Sequence, residues 1–403
     1  MLLSRYLRHL ITIGELTVIG ADGREHRFKG GKDGPSVAMR FHNRRIERRI
    51  LLNPSMGLGE GYVDGSWSPE GSELHDVLDL IGMNVGAASP SRFQKFIRHL
   101  TLPLRYLQQY NPADRSRRNV AHHYDLSGEL YDLFLDDDRQ YSCGYYVNPH
   151  DPLEIAQENK KRHIAAKLCL APGQRILDIG SGWGGLALYL AREYDVDVTG
   201  LTLSSEQHAR SEKRAAQEGL SERVRFFLRD YRDQTGSFDR IVSVGMFEHV
   251  GVNHYGQFFD KIQNLLTPDG VALLHTIGRM EGPGVTDPWI RKYIFPGGYL
   301  PAPSEIESAL EKRGLWLTDM ETLRLHYAFT LRDWRHRFAA NRKAAAALYD
   351  ERFCRMWEYY LTICEVSFYY LRNTVFQFQM ARSQESLPLT RQYLSNTEYR
   401  HAD

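Results

Sequence analysis

The stretch Met246-Phe-Glu-His-Val-Gly251 places a carboxylate and an imidazole side by side, at Glu248 and His249. It directly follows the apolar run Arg240-Ile-Val-Ser-Val-Gly245, which has the composition of a buried β-strand. The sequence therefore predicts that the pair lies at the carboxyl end of a strand. Such a position suits acid–base chemistry, and it equally suits side chains that only complete a turn.

A glycine-rich loop, Asp178-Ile-Gly180-Ser-Gly182-Trp-Gly184-Gly185, follows another apolar run. Glycines at a strand end let the backbone approach a ligand and present amide groups at the start of the next helix. A dinucleotide site would show GxGxxG, with an acid about 20 residues later. The spacing DxGxGxG is instead typical of S-adenosylmethionine (SAM) sites, where Asp178 orients the loop. We therefore predict SAM binding by Gly180, Gly182 and Gly184 in preference to NAD.

The end of the next predicted strand departs from most SAM enzymes, which place an acid there for the ribose hydroxyls. Here the strand runs into Gly200-Leu-Thr-Leu-Ser-Ser-Glu-Gln207, where Thr202 and Gln207 can offer neutral hydrogen bonds. Tyr231 and Arg232, after the third strand, lie where an adenine would be held.

Composition and charge bound the class of protein. The chain has 403 residues, of which 42% are hydrophobic, and this length and composition predict a globular protein of two domains. Its formal net charge is +1. The four cysteines show neither a CxxC pair nor zinc-ligand spacing, so we expect no metal site and a reducing cytoplasm. The N-terminus lacks the features of a signal peptide, and an apolar run of about 18 residues, the length of a membrane span, does not occur.

Basic residues concentrate in the first part of the chain. Residues 1–120 carry 18 Lys and Arg against 12 Asp and Glu, with dense runs at Arg40–Arg49 and Arg115–Arg118. Such patches attract the phosphates of nucleic acid or of anionic lipid headgroups, although an ordinary solvated face explains them equally well.

The rhythm of the sequence changes near residue 111. Residues 11–52 alternate around a glycine-rich turn, which predicts short antiparallel strands, and helices are predicted at 72–83 and 90–110. The polar, proline-containing stretch 111–118 predicts a linker. We therefore predict an N-terminal domain over 1–110 and a second domain over 111–403.

Strand–helix alternation in the second domain predicts a parallel sheet with crossover helices. The predicted strands are Arg175–Ile179, Val196–Leu201, Val224–Leu228, Asp239–Val244 and Val271–Ile277, with helices such as Leu186–Tyr194 and Glu206–Glu218 between them. Beyond Ala328 the aromatic-rich chain is predicted to be almost wholly helical to about Ser383. The predicted fold class is α/β: a Rossmann-like SAM-dependent methyltransferase domain with a helical cap, preceded by a smaller α+β domain.

Several motifs together carry a resemblance to a known family. They are GLGEGYVDGSW (57–67), HHYDLSGELYDLFLD (122–136), YSCGYY (141–146), LDIGSGWGGLA (177–187), GLTLSSEQ (200–207), VSVGMFEHVG (242–251), LLHTIG (273–278), DPWIRKYIFPGGYLP (287–301) and YYLTICEVSF (359–368). With these motifs the chain resembles the cyclopropane-fatty-acyl-phospholipid synthases, relatives of the mycolic acid cyclopropane synthases. The resemblance reaches across nearly the whole chain, and Ser181 stands where many members have Cys.

The resemblance implies an activity and a set of site residues. Members add a methylene from SAM across a cis double bond of a phospholipid acyl chain, through a carbocation that bound bicarbonate deprotonates. It implies that Cys143 and Ile277 hold bicarbonate through the backbone, and that Glu248, His275 and Tyr327 hold it through side chains. It further implies an active-site Cys364, expected to line the pocket, and SAM contacts at Tyr141 and Ser142. A carboxylate facing bicarbonate needs a shared proton, from His275 or from the bicarbonate itself. His249 is expected to pack or to cap the turn.

Three alternatives remain at this point. Simple C-methylation of the same double bond would use the same fold and SAM site. A nucleic-acid methyltransferase would use the basic patch but would usually show a base-flipping motif after the fourth strand, which the sequence lacks, so we expect no nucleic-acid partner. A non-catalytic lipid-binding protein would not require the SAM glycines.

The basic patch supports a hypothesis about the substrate's location. We expect the N-terminal domain to dock on anionic lipid at the inner face of the membrane through Arg44, Arg45, Arg48 and Arg49. The unsaturated phospholipid would then be met in the bilayer by a cytoplasmic, peripherally bound protein. A homodimer is possible, because members of the family that the chain resembles are commonly dimeric.

Overall fold

The computed structural model describes residues 1–87 and 127–398, which form two compact units. The described parts of the first unit are 1–87, Thr286–Pro296 and Leu331–Asn373. Those of the second are 127–285, Gly297–Thr330 and 374–398. The predicted boundary near 111, the helix at 90–110 and the linker at 111–118 lie outside the described residues. The first unit also includes two segments from later in the chain, which the sequence-based division into 1–110 and 111–403 did not include.

The elements of the described residues are as follows. The strands are β1 (Ile13–Ile19), β2 (Glu25–Lys29), β3 (Lys32–Phe41), β4 (Trp67–Glu70), β5 (Arg175–Ile179), β6 (Asp197–Thr202), β7 (Val224–Leu228), β8 (Phe238–Val244), β9 (Leu266–Arg279), β10 (Trp316–Thr322) and β11 (Asn373–Ala381). The α-helices are α1 (Ser4–Leu10), α2 (Arg45–Leu52), α3 (Pro54–Val63), α4 (Leu74–Ala87), α5 (Gly128–Asp132), α6 (Leu153–Leu168), α7 (Gly185–Tyr194), α8 (Ser205–Gln217), α9 (Tyr255–Leu265), α10 (Pro288–Tyr293), α11 (Pro303–Leu310), α12 (His326–Ala340), α13 (Arg342–Leu348), α14 (Glu351–Tyr370) and α15 (Gln392–Glu398).

A seven-stranded sheet forms the centre of the second unit, in the order β10-β11-β9-β8-β5-β6-β7. Strands β5 to β9 pair in parallel, so their carboxyl ends meet at one edge. This confirms the five predicted strands and the predicted Rossmann-like fold class. Most strand ends shift by at most about one residue, whereas β9 begins at Leu266 and not at Val271 as predicted. Two hydrophobic clusters cover the sheet, one against α9 and α11 and the other against α6 and α7.

Strand β11 corrects the prediction that the chain is almost wholly helical from 328 to 383. Residues 326–370 are largely helical, but Asn373–Ala381 pairs antiparallel with β10. Its residues alternate: Phe376, Phe378 and Met380 join the hydrophobic cluster on one face. The intervening Gln377 and Gln379 lie on the other face of the strand and are also buried, so both faces of β11 are covered. Because both faces are buried and the segment is rich in aromatic residues, the alternation typical of a strand was not recognised in the sequence. The short strand β10, which pairs with it, was likewise not predicted.

The first unit contains a four-stranded sheet in the order β2-β1-β3-β4. The prediction of antiparallel strands over 11–52 is partly wrong, because β1 and β3 pair in parallel and residues 45–52 form the helix α2. The chain passes from β2 to β3 close beside the start of β1. At Gly30 a Cβ atom would lie 2.2 Å from the backbone of Thr12, so only glycine permits this crossing. The helix predicted at 72–83 is present as α4.

Candidate active site

A pocket opens at the carboxyl ends of β5, β6 and β8, within the second unit. Nine of the ten residues predicted to bind SAM line it: Tyr141, Ser142, Asp178, Gly180, Gly182, Thr202, Gln207, Tyr231 and Arg232. Ligands of open α/β sheets bind at this edge, where loops from several strands converge. The sheet therefore brings together residues as far apart in the sequence as Tyr141 and Arg232.

The glycine loop has the backbone conformation that its composition predicts. Gly180, Gly182 and Gly184 all have positive φ, at 87°, 53° and 84°. A Cβ on Gly180 would lie 2.9 Å from Cβ of Met246, whereas Gly182 has open space around that position. Gly184 does not line the pocket. Its Cα faces the ring of Phe226, which a Cβ would approach to 2.7 Å, so this glycine permits packing beneath the loop rather than ligand contact.

Asp178 and Lys160 lie in the pocket wall as two buried charged groups. Asp178 is 2% exposed, and its Oδ2 atom has no hydrogen-bond partner among the described residues. Burial raises the pKa of Asp178 to about 7, and the nearby Lys160 opposes that rise. Burial also lowers the pKa of Lys160 to about 8, while Asp136 favours its charged form. A cation held beside a buried carboxylate keeps this wall polar and limits the cost of burying either charge.

Two pairs of side chains form the rest of the predicted SAM surface. Thr202 Oγ1 donates a 2.8 Å hydrogen bond to Gln207 Oε1, at the end of β6. Arg232 forms an ion pair with Asp230 at 2.6 Å, and Asp230 also accepts a hydrogen bond from the Arg232 amide. These contacts fix neutral hydrogen-bonding groups at the end of β6 and the Tyr231 ring after β7.

The segment 140–146 is held from two sides. Lys160 Nζ donates to Ser142 Oγ at 2.8 Å and to Gln140 Oε1 at 2.6 Å. On the other side, the Gly144 amide donates to Thr330 Oγ1 at 3.0 Å, and the Tyr146 amide donates to Nδ1 of His326 at 2.9 Å.

These bonds connect the two backbone segments that carry Cys143 and Tyr327. Cys143 precedes Gly144 in the held segment, and Tyr327 lies on the first turn of α12 between the two acceptors. Both residues are buried, at 1% and 8% exposed. Burial raises the pKa of the Cys143 thiol, so it stays protonated, which agrees with a role for its backbone rather than its sulfur.

Glu248 is buried at the end of β8, on a short 3-10 turn. Its Oε1 atom accepts a 2.6 Å hydrogen bond from the amide of Ile277, while Oε2 has no partner among the described residues. Burial raises the pKa of Glu248 to about 7, against a usual value of 4.5. The backbone amides of Glu248 and Ile277 and the nearby Thr276 side chain oppose that rise but do not cancel it. At neutral pH the carboxyl group therefore holds its proton more readily than an ordinary glutamate, and it can either donate or accept a proton.

His275 lies on β9, two residues before Ile277, and is 2% exposed. Its pKa is lowered to about 3, first by burial and then by the charges of Lys160 and Lys167 on α6. The imidazole is therefore neutral. His249 lines the SAM pocket as well as ending the 3-10 turn, so its interpretation as a packing or capping residue was incomplete. Burial lowers the pKa of His249 to about 4.

Comparison with known proteins identifies the family. The family model described as mycolic acid cyclopropane synthetase matches residues 112–378. This chain belongs to that family. It is 41% identical over 337 residues to the cyclopropane-fatty-acyl-phospholipid synthase of Escherichia coli K12, which covers 82% of this chain and 84% of the relative.

Two further similar proteins bear on the activity. The chain is 35% identical over 393 residues to the tuberculostearic acid methyltransferase UfaA1 of Mycobacterium tuberculosis, covering 94% of this chain and 90% of the relative. The crystal structure of mycolic acid cyclopropane synthase CmaA1 complexed with SAH and CTAB superposes with a TM-score of 0.63 at 35% identity. It covers 67% of this chain and 99% of that one. The protein is a SAM-dependent methyltransferase.

Cys364 lies on α14 in the first unit. It is the last of the predicted site residues to be placed. Its side chain is partly buried, and burial raises the pKa of the thiol to about 12. A thiol with that pKa is protonated at neutral pH and is a poor nucleophile. This agrees with the expected lining role and leaves it a prediction.

Sequence reasoning missed Lys160 and Gln377. Lys160 lies in the run Asn-Lys-Lys-Arg, which has the composition of a solvated face. The signal was its spacing, because it lies four residues after Ala156 and four before Ile164, on the buried side of α6. Gln377 was hidden by the mistaken helix over β11.

Proposed function

We propose that this protein transfers a methylene from SAM to the cis double bond of an unsaturated phospholipid acyl chain and forms a cyclopropane. The observation that carries the proposal is the buried carboxyl of Glu248, which is anchored on the Ile277 amide and has one oxygen without a partner among the residues described. Ring formation needs a base that removes one proton in a site free of water, and this arrangement supports such a base. The identity of 41% to a cyclopropane-fatty-acyl-phospholipid synthase supports the substrate class.

The residues around the pocket fit SAM. Gly182 leaves open space beside the backbone, and Oδ2 of Asp178 has no hydrogen-bond partner in the part of the chain that the structure describes. Thr202 and Gln207 would meet the ribose, and the Tyr231 ring would meet the adenine. When bound, SAM supplies an activated methyl group. The role of these residues would be to bind SAM and to orient that group.

The residues at Glu248 fit bicarbonate, which would supply the base for the final proton. Bicarbonate has both a proton to give and oxygens that accept. A carboxyl with a pKa of about 7 can share a proton with it, whereas an ordinary ionised carboxylate would repel it. Neutral His275 can donate one hydrogen bond without adding charge. The buried Cys143, His275 and Tyr327 would exclude water, which would otherwise convert a carbocation to an alcohol.

A lipid surface is the proposed location of the substrate. In the first unit, Arg44, Arg45 and Arg48 are exposed, and Leu52 beside them is 87% exposed. Arg49, which we also expected to contact lipid, instead pairs with Asp64 at 2.7 Å and Glu60 at 3.2 Å, so its charge is already compensated. No helix among the described residues is long and apolar enough to cross a bilayer. We propose peripheral binding to anionic lipid through the three exposed arginines.

The decisive experiment is proton NMR of lipids recovered after the pure protein is incubated with SAM and vesicles of cis-unsaturated phospholipid. We expect upfield ring protons and loss of the vinyl signal. Consumption of SAM with vinyl protons retained beside a new methyl group would replace cyclopropanation with C-methylation. That second candidate is favoured by the identity of 35%, over 94% of the chain, to a protein named as a methyltransferase. Absence of SAM consumption would reject both.

A further inference from the structure

The hydrogen bonds that the His275 imidazole can form depend on which of its two nitrogens carries the proton. Lys160, Lys167 and His163 on α6 and Glu321 on β10 act on it electrostatically. Burial and the two lysine charges hold its pKa far below neutrality, and Glu321 opposes them only weakly. The ring is therefore uncharged across the physiological range. A neutral imidazole has one nitrogen that donates and one that accepts, so the position of its single proton decides which role each nitrogen has.

One described side chain contacts the ring at Nδ1. The Nε2 amide group of Gln377 lies 3.1 Å from Nδ1 of His275, and both side chains are buried. In the orientation that the structure gives the Gln377 amide, its NH₂ group donates to Nδ1 while its Oε1 has no partner among the described residues, and this places the ring proton on Nε2. Gln377 is itself 0% exposed and fixed by its position on β11, beside β9. It holds the rotation of the ring as well as its protonation.

We propose that Gln377 is a positioning residue that keeps His275 as the Nε2–H tautomer, so that the ring donates a hydrogen bond to the anion held at Glu248. This rests on the proposed function for the identity of the anion. An Nδ1–H tautomer would turn a lone pair toward a negatively charged ligand and repel it. Partners that orient metal-bound histidines contribute about 10- to 100-fold to activity, and we expect the lower end of that range for Gln377.

The test combines nitrogen NMR with kinetics. The protein is labelled with ¹⁵N-histidine, and the His275 signals are assigned by their loss in His275→Asn. In the wild type we expect one tautomer, with Nε2 protonated and Nδ1 not. Gln377→Met keeps the volume and removes the donor. We expect a mixture of tautomers in its spectrum and a kcat about tenfold lower, with the KM for SAM unchanged.

Gln379→Met is the matched control. Gln379 is equally buried on the same face of β11, but its amide donates to the carbonyl of Lys167 at 2.5 Å and not to His275. This variant should lose stability and keep the single-tautomer spectrum. The proposal is overturned if wild-type His275 carries its proton on Nδ1, or if Gln377→Met keeps both the single tautomer and the wild-type kcat. The wild-type spectrum needs no variant and no turnover, so it decides the tautomer even if cyclopropanation itself fails.

Discussion

At the scale of the residue, Glu248 links stability to pH. Its folded pKa of about 7 exceeds the usual value of 4.5, so the folded protein binds this proton more tightly than the unfolded chain does. Stability from this group is therefore complete below pH ~4.5 and is lost as pH rises to about 7, by on the order of 3 kcal/mol. Glu248→Gln lacks this loss. Denaturant unfolding from pH 4.5 to 8 should show the variant gaining relative to the wild type.

Glu248→Gln should lower activity, although it is expected to gain stability relative to the wild type. An amide cannot share a proton with a bound anion, so we expect Glu248→Gln to lower kcat by about 100-fold or more, while calorimetry shows unchanged SAM binding. A variant that is more stable at pH 8 and inactive would assign the carboxyl to chemistry. Equal stability of the two proteins at every pH would show that Glu248 is not protonated by burial.

Lys160 should govern the binding of SAM. It anchors Ser142 and Gln140, and it restrains the pKa of Asp178. In Lys160→Met the segment loses its anchor and Asp178 becomes neutral, so we expect the Kd for SAM to rise about tenfold or more. The adjacent Lys161→Met is the control, because Lys161 pairs with Asp138 at 2.7 Å and does not line the pocket. Equal losses of SAM affinity in the two variants would refute a specific role.

At the scale of the element, β11 shows which parts of the fold could be predicted from the sequence and which could not. Strands β5 to β9 were predicted because each is an apolar run followed by a glycine or polar turn. The sequence Asn-Thr-Val-Phe-Gln-Phe-Gln-Met-Ala continues an aromatic helix without such a break, and only pairing with β10 and β9 fixes it as a strand. The glycine loop was predictable from local conformation. Gln377 was not, because its role depends on a strand pairing that joins residues 102 positions apart.

The packing of β11 gives a direct test of this pairing. Phe376 is fully buried, and its ring occupies space that Gly278 of β9 leaves open, since a Cβ there would lie 2.4 Å from the ring. Phe376→Ala should lower the free energy of unfolding by about 3–5 kcal/mol. Leu317→Ala, on the neighbouring β10 and 41% exposed, should change it by about 0.5 kcal/mol or less. A loss below about 1 kcal/mol at Phe376 would argue against this sheet.

At the scale of the whole molecule, a near-neutral chain carries an uneven charge distribution. Its net charge is +1, yet Arg44, Arg45 and Arg48 are exposed together on and beside α2. The adjoining α1 is held near them by a 2.5 Å hydrogen bond from the Leu2 amide to Glu47. Leu2 and Leu52 are 60% and 87% exposed. Basic side chains around exposed leucines are typical of surfaces that enter the interface of an anionic bilayer.

Reversing the three arginines to glutamate should weaken binding to anionic vesicles by about 100-fold at low salt, since each cation near such a surface contributes about 1 kcal/mol. A control that reverses the exposed Lys213, Arg225 and Lys312 of the second unit should leave binding unchanged.

Salt distinguishes the electrostatic contribution to vesicle binding from the apolar contribution. At ~1 M salt the Debye length is about 3 Å, so the effect of reversing the arginines should largely disappear. The weaker binding caused by Leu52→Ser should persist, because burial of an apolar side chain is not screened. SAM affinity should be the same in every variant. If the control triple weakens vesicle binding as much as the arginine triple, the attraction is a property of net charge and α2 is not the docking surface. If neither triple matters while Leu52→Ser does, the contact is apolar.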